Sequence, residues 1–68
     1  MKIEFLTREY LIEHGRRPRG YGWWIFEFEG REFTAHGTLT EAKKACRDEI
    51  KRIAPKNYDG WVYVNVCP

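Results

Sequence analysis

The chain has 68 residues, of which 43% are hydrophobic, 32% are charged and 16% are aromatic, and its formal net charge is +2. This length allows one domain, spanning residues 1–68, and the composition is globular rather than disordered. No apolar run approaches the roughly 18–20 residues that cross a bilayer. We therefore expect no membrane partner. Residues 1–5 lack the apolar segment of a secretory signal, so we expect a cytoplasmic location.

The first part of the chain predicts a short strand over residues 2–6, followed by a short helix over about 8–14. Thr7 is a candidate N-cap for this helix, and Gly15 is a candidate residue to end it. The alternative is one uninterrupted strand from residue 3 to residue 12.

Residues 22–29 and 31–36 predict a β-hairpin. The first segment is dense in aromatic and β-branched residues, and Gly30 between the segments can adopt the positive φ of a tight turn. Neighbouring residues of a strand point to opposite faces, so Trp23 and Trp24 cannot share a face unless a bulge intervenes.

The clearest predicted element is a helix over about 39–53. Thr38 and Glu41 have the spacing of a capping box, and Pro55 would end the helix. An apolar stripe at 3/4 spacing follows the cap and comprises Leu39, Ala42, Cys46, Ile50 and Ile53. A turn over 57–60 then precedes a strictly alternating strand over 61–66.

Together these elements predict an α+β fold. It has a three- to four-stranded antiparallel sheet with the main helix, about 39–53, packed on one face. The opposite face would present alternate strand residues, with Trp23, Ile25, Trp61 and Tyr63 as candidates. Cys46 and Cys67 are expected to be reduced thiols, the alternative being a disulfide between them.

The most informative charged feature is the arginine loop, which comprises Arg16, Arg17 and Arg19. Without these three arginines the rest of the chain has a net charge of −1, so the excess positive charge lies here. Guanidinium groups bind phosphate or carboxylate in a bidentate manner, and the adjacent Tyr21, Trp23 and Trp24 could stack on bases. The alternative is a solvated loop that only aids solubility.

Two further features are candidate binding surfaces. Lys43, Arg47 and Lys51 are four residues apart and form a basic row on the main helix. This row is typical of a solvated face, and it gains meaning only if it lies on the same side as the arginine loop. Exposed aromatics such as Trp61 are typical of partner surfaces, although a small domain can also use aromatics to fill its core.

Catalysis and metal binding find little support in the sequence. His14 and His36 are not spaced with cysteines or acids in a metal-ligand pattern, and no glycine-rich phosphate loop opens a helix. Glu27 and Glu29 could form a carboxylate pair, but alternating acids are common on solvated strands. We therefore expect no enzyme activity, no catalytic or metal-binding residue and no cofactor.

Residues 22–50 read as strand, Glu-Gly-Arg turn, strand and helix, a pattern that resembles the AP2-like and integrase arm-binding modules of mobile elements. This resemblance implies a sheet that enters the DNA major groove. Two features depart from it: Glu27, Glu29 and Glu32 occupy strand positions, and an apolar strand follows the helix. The whole chain also resembles the short orphan proteins of bacteriophages and prophages, some of which inhibit CRISPR effectors.

The sequence therefore predicts a non-enzymatic binding protein of a phage or mobile element that docks on a host protein or nucleoprotein complex, or on DNA or RNA. The expected binding residues are Arg16, Arg17, Arg19, Tyr21, Trp23, Trp61, Lys43, Arg47 and Lys51. One alternative is a module that reads a DNA duplex with its sheet. Another is a homodimer whose aromatic sheet face is its own interface.

Overall fold

The computed structural model describes residues 1–54 and 58–68 of the chain. Its elements in chain order are β1 (Lys2–Leu6), α1 (Arg8–His14), β2 (Tyr21–Phe28), β3 (Arg31–Thr38), α2 (Leu39–Ile53) and β4 (Trp61–Val66). The predicted helix end at Pro55 and the first residue of the predicted turn at Asn57 lie outside the described residues.

The four strands form one sheet in the order β1-β4-β2-β3. The α+β class and the packing of the main helix on this sheet are confirmed. The sheet is mixed rather than antiparallel throughout, because β1 pairs in parallel with β4, whereas β2 is antiparallel to both β3 and β4. Helix α2 carries the chain from the edge strand β3 back across the sheet, so β4 enters between β1 and β2 in the direction of β1.

A short strand and a short helix form the first part of the chain, and the alternative of one continuous strand is wrong. Gly15 ends α1 with φ at 68°, as predicted. The Thr7 side chain makes no capping hydrogen bond. Thr7 has φ −111° and ψ 7°, outside the extended region that an N-cap normally adopts, so the predicted side-chain cap is wrong.

The hairpin closes through a two-residue turn at Glu29 and Gly30, between the paired residues Phe28 and Arg31. Both turn residues have positive φ, at 50° and 74° respectively. This conformation matches the twist of the two strands.

Helix α2 begins with the predicted capping box. The main-chain N–H of Glu41 donates to Thr38 Oγ1 at 3.2 Å, and the N–H of Thr38 donates to Glu41 Oε1 at 3.0 Å. Two of the N–H groups that a helix start leaves unpaired are satisfied in this way.

The core lies between the sheet and α2. Its buried side chains are Trp24, Phe26 and Phe28 from β2, Val62, Val64 and Val66 from β4, and Ala42, Cys46 and Ile50 from α2. Trp24 is 6% exposed whereas Trp23 is 71% exposed, which confirms that the two tryptophans face opposite ways. The Trp24 indole N–H donates to the Gly37 carbonyl at 3.2 Å. Cys46 and Cys67 are not bonded to each other.

Candidate functional site

The sheet face opposite the core, here called the open face, carries aromatic side chains in two separate groups. They are separate because β2 and β4 pair over only two positions, Phe26 with Val66 and Glu27 with Asn65. The first half of β2 therefore extends past the end of β4. The first half of β4 extends past the hairpin turn in the opposite direction.

One group, the Trp23 cluster, comprises Tyr21, Trp23 and His36. Hairpin register places Trp23 directly opposite His36, with ring centroids 4.7 Å apart. Tyr21 meets the same imidazole edge-on at 4.8 Å, and its hydroxyl lies 3.4 Å from His36 Nδ1. The side chains of Tyr21 and Trp23 are 72% and 71% exposed, so this cluster offers two large rings to solvent.

The other group, the Trp61 pair, comprises Trp61 and Tyr63 at the opposite end of the face. Their rings are stacked, with centroids 6.2 Å apart and planes inclined by 12°. The Lys2 ammonium lies 5.3 Å from the Trp61 centroid, within cation–π range. The predicted binding residue Trp61 is therefore exposed, but the structure does not bring it to the arginine loop.

Acidic side chains occupy the space between the two groups. Glu27 lies opposite Glu32 on β3 and beside Asn65 on β4. Glu4 is on the same face but pairs with Tyr63 from the edge strand β1, on the far side of the Trp61 pair. Like charges that face each other across strands repel. The middle of the open face is thus a poor surface for phosphate.

The arginine loop stands beside the Trp23 cluster. Arg16 and Arg19 line a cleft of about 300 Å³, here called the loop cleft, together with Tyr10, His14, Tyr21 and Trp23. No aspartate or glutamate lines this cleft. Among the described residues, the loop arginines form no ion pair, since the two ion pairs found there join Lys44 to Asp48 and Arg52 to Glu49.

The third arginine belongs to a neighbouring cleft. Arg17 and Lys43 line a basic cleft of about 420 Å³ together with Leu11 and Leu39. Helix α2 thus presents Lys43, the first residue of its basic row, on the side where the arginine loop lies. This is the arrangement under which the row is a candidate binding surface.

Two residues of the basic row, Lys43 and Arg47, pack beside an aromatic ring, and the third, Lys51, is solvated. The Lys43 ammonium and the Arg47 guanidinium lie 5.3 and 5.6 Å from the centroid of the Phe5 ring. These contacts hold two cations along the β1 side of α2. Lys51 is exposed and makes no ion pair with a described residue.

The chemistry available at the cysteines is limited. Burial raises the pKa of the Cys46 thiol to about 11 and also raises the pKa of Cys67, where Glu27, Glu32 and Glu9 add to the effect. A thiol with a raised pKa is a weak nucleophile near neutral pH. Within residues 1–54 and 58–68, no group of three His, Cys, Asp or Glu side chains is placed to hold a metal ion.

Sequence reasoning missed three parts of this site. His36 completes the Trp23 cluster, and a two-residue turn at 29–30 would have placed it opposite Trp23. The rings of Tyr10 and His14 are in contact, with centroids 4.2 Å apart and planes inclined by 31°, and both residues line the loop cleft. Their i,i+4 spacing on α1 was the available signal.

None of the helices in the described ranges is both long enough and apolar enough to cross a membrane. Comparison of the chain with protein-family models, with curated proteins and with solved structures finds no match.

Proposed function

We propose that this protein is a non-enzymatic binding module that docks on a nucleic-acid or nucleoprotein target through the arginine loop and the adjacent Trp23 cluster. The observation that carries this proposal is the convergence of Arg16 and Arg19 with two exposed aromatic rings around a cleft that no aspartate or glutamate side chain lines. A solvent-exposed guanidinium group without an ion-pair partner is well hydrated, and it can form strong bidentate hydrogen bonds with a phosphate group.

The two kinds of side chain would act together on a polynucleotide. The guanidinium groups would bind backbone phosphates, and Tyr21 and Trp23 would stack on exposed bases. Arg17 and Lys43 in the basic cleft would extend the phosphate track around the loop, and Arg47 lies on the same flank of α2. Single-stranded segments fit this arrangement best, because bases in a duplex are already stacked on each other.

The biological setting that we propose is a phage or mobile element within a cytoplasm. There the protein would occupy a surface of a host defence complex, such as a CRISPR effector, and inhibit it. The small size and the surplus of surface aromatics support this part of the proposal.

Duplex reading by the open face, as in AP2-like modules, is a weaker candidate. The Glu27–Glu32 pair would face the phosphates of a duplex laid across the sheet. A homodimer through the open face is a second candidate, favoured by the Trp61 pair, whose members are 50% and 53% exposed. Light scattering tests it, and a monomer at all concentrations would exclude it.

The main experiment measures binding of a labelled oligothymidylate and a labelled duplex at about 50 mM salt, where phosphate contacts are strong. We expect the wild-type protein to prefer the single strand and to lose affinity steeply as salt is raised. The triple variant Arg16→Ala, Arg17→Ala, Arg19→Ala should lose at least about tenfold in affinity.

A charge-matched control removes the same charge elsewhere. Arg8→Ala, Arg31→Ala and Lys44→Ala together should leave affinity within about threefold of wild type, because only long-range attraction is reduced. Equal losses of affinity in both triple variants would show that binding depends only on net charge and not on the arginine loop. Absence of binding to either oligonucleotide by the wild-type protein would refute direct nucleic-acid binding.

A further inference from the structure

Beyond side-chain charge, the loop cleft contains an unpaired stretch of strand edge. The pairs Phe28–Arg31, Phe26–Phe33 and Trp24–Ala35 occupy alternate positions of the hairpin, starting from the two-residue turn. In antiparallel strands such pairs exchange hydrogen bonds, whereas the residues between them point their main-chain N–H and C=O groups away from the partner strand. Tyr21, Trp23 and Ile25 thus aim these groups away from β3, toward the β4 side.

The β4 side supplies a partner to only part of this edge. The Cys67 N–H donates to the Ile25 carbonyl at 2.9 Å, which continues the β2–β4 ladder by one step. Trp23 and Tyr21 lie beyond that step. Within the described residues no hydrogen bond pairs their main-chain groups on this side.

We propose that the edge of β2 at Tyr21–Trp23 accepts an extended acidic peptide from a partner protein as an additional strand. Pro68 follows Cys67 and also lines the cleft, so the peptide would continue the line of β4 beyond Pro68 and exchange hydrogen bonds with the Trp23 main chain. The open cleft of about 300 Å³ leaves room beside this edge.

Charge complementarity specifies the chemistry of the partner. Arg16, Arg19 and His14 line the cleft, and no aspartate or glutamate does. Glu9 is near enough to Cys67 to contribute to the raised pKa of that thiol, together with Glu27 and Glu32, but none of the three lines the cleft. A peptide that alternates apolar and acidic residues matches both the aromatic surface at Trp23 and the cationic surface at Arg16 and Arg19. Its apolar side chains would pack beside Trp23, and its carboxylates would meet the guanidinium groups.

This inference goes beyond docking on nucleic acid, and one pair of variants separates the two. Trp23→Ala and Trp23→Pro both remove the indole, but only proline also removes the main-chain N–H. That N–H points away from β3, so proline leaves the hairpin ladder unbroken. The two variants should therefore bind an oligothymidylate equally and differ only toward a peptide strand.

The probe is a blocked peptide of alternating valine and glutamate, with a valine–lysine peptide as its charge-reversed control. We expect the glutamate peptide to bind the wild-type protein, to slow hydrogen exchange of the Trp23 amide, and to bind Trp23→Pro about tenfold more weakly than Trp23→Ala. Arg16→Ala with Arg19→Ala should weaken it by a further, comparable factor. The lysine peptide should not bind.

Three outcomes would overturn the inference. They are binding of neither peptide, equal peptide affinities of the two Trp23 variants, and unchanged exchange of the Trp23 amide in the bound state. If the oligothymidylate still binds in these cases, the proposed function stands without this inference. If the glutamate peptide binds as expected and no oligonucleotide does, the strand acceptor stands and direct nucleic-acid binding fails.

Discussion

Two neighbouring tryptophans have opposite roles in this molecule. Trp24 fills the core and donates its indole N–H to the Gly37 carbonyl, whereas Trp23 projects from the open face against His36. Strand alternation alone separates them. Each aromatic residue of β2 can therefore be assigned to stability or to binding by whether its position in the strand is odd or even.

This division predicts unequal effects of the same substitution. Trp24→Phe removes buried volume and the indole hydrogen bond to the Gly37 carbonyl, so we expect the free energy of unfolding to fall by about 2 kcal/mol. Trp23→Phe at an exposed position should change stability by no more than about 0.5 kcal/mol. Urea denaturation of both variants checks this, and similar losses would contradict the assignment of Trp23 to the surface.

At the scale of the element, α2 depends on the chain that precedes it. Gly37 is buried with φ at 139°, and a Cβ there would come within 3.2 Å of Glu41 Oε1, the atom that completes the capping box. The end of the hairpin and the start of α2 therefore pack directly against each other. A side chain at this position would disturb both.

The capping box predicts a measurable loss when its hydroxyl is removed. Thr38→Ala should destabilise the protein by about 1 kcal/mol, because the Glu41 N–H loses its acceptor. Thr40→Ala, on an exposed position inside the helix, is the matched control and should be neutral or slightly stabilising. Chemical denaturation measures both, and equal midpoints would show that the cap contributes nothing.

Local patterns predicted most of the elements but not how they pair. The capping box, the apolar stripe of α2 and the existence of the hairpin were readable because each depends on residues close in sequence. The side-chain cap at Thr7 failed because its backbone is not extended. The parallel partner of β1 and the two-position ladder between β2 and β4 depend on how the helices cross the sheet. The loop cleft and its free strand edge follow from that ladder, so sequence periodicity could not reveal them.

For the whole molecule, the short β2–β4 ladder produces an elongated body with extents of 38 × 21 × 17 Å. The two aromatic groups lie at opposite ends of the open face, with acidic side chains between them. The end beside the arginine loop combines the Trp23 cluster with Arg16 and Arg19, whereas at the other end the Lys2 ammonium lies over Trp61. Four of the predicted binding residues thus line the loop cleft, namely Arg16, Arg19, Tyr21 and Trp23. Arg17 and Lys43 line the neighbouring basic cleft, and Trp61 lies apart from both.

Global stability should fall in alkaline solution because of one core thiol. Cys46 ionises near pH 9.0 when exposed, but burial raises its pKa to about 11 in the folded state. Between these values the unfolded chain binds fewer protons than the folded one, so raising the pH favours unfolding. Measured in a Cys67→Ala background, because the pKa of Cys67 is raised too, the free energy of unfolding should decline from pH 9 toward pH 11.

The control for this pH dependence is the Cys46→Ala variant in the same background. It should be less stable overall, because a buried side chain is shortened, but it should decline less steeply over the same range. Parallel stability curves for the two proteins would assign the alkaline loss to tyrosines and lysines instead.

The parallel pairing of β1 with β4 also has a kinetic consequence. Lys2 pairs with Trp61 across nearly the whole chain, whereas the β2–β3 hairpin and α2 close over short distances in sequence. Contacts between distant residues form slowly, because the intervening chain must lose its freedom first. We therefore expect the hairpin and helix to assemble early. Refolding would then be limited by the arrival of β4, whose three core valines complete the hydrophobic interior only when the strand is inserted beside β2.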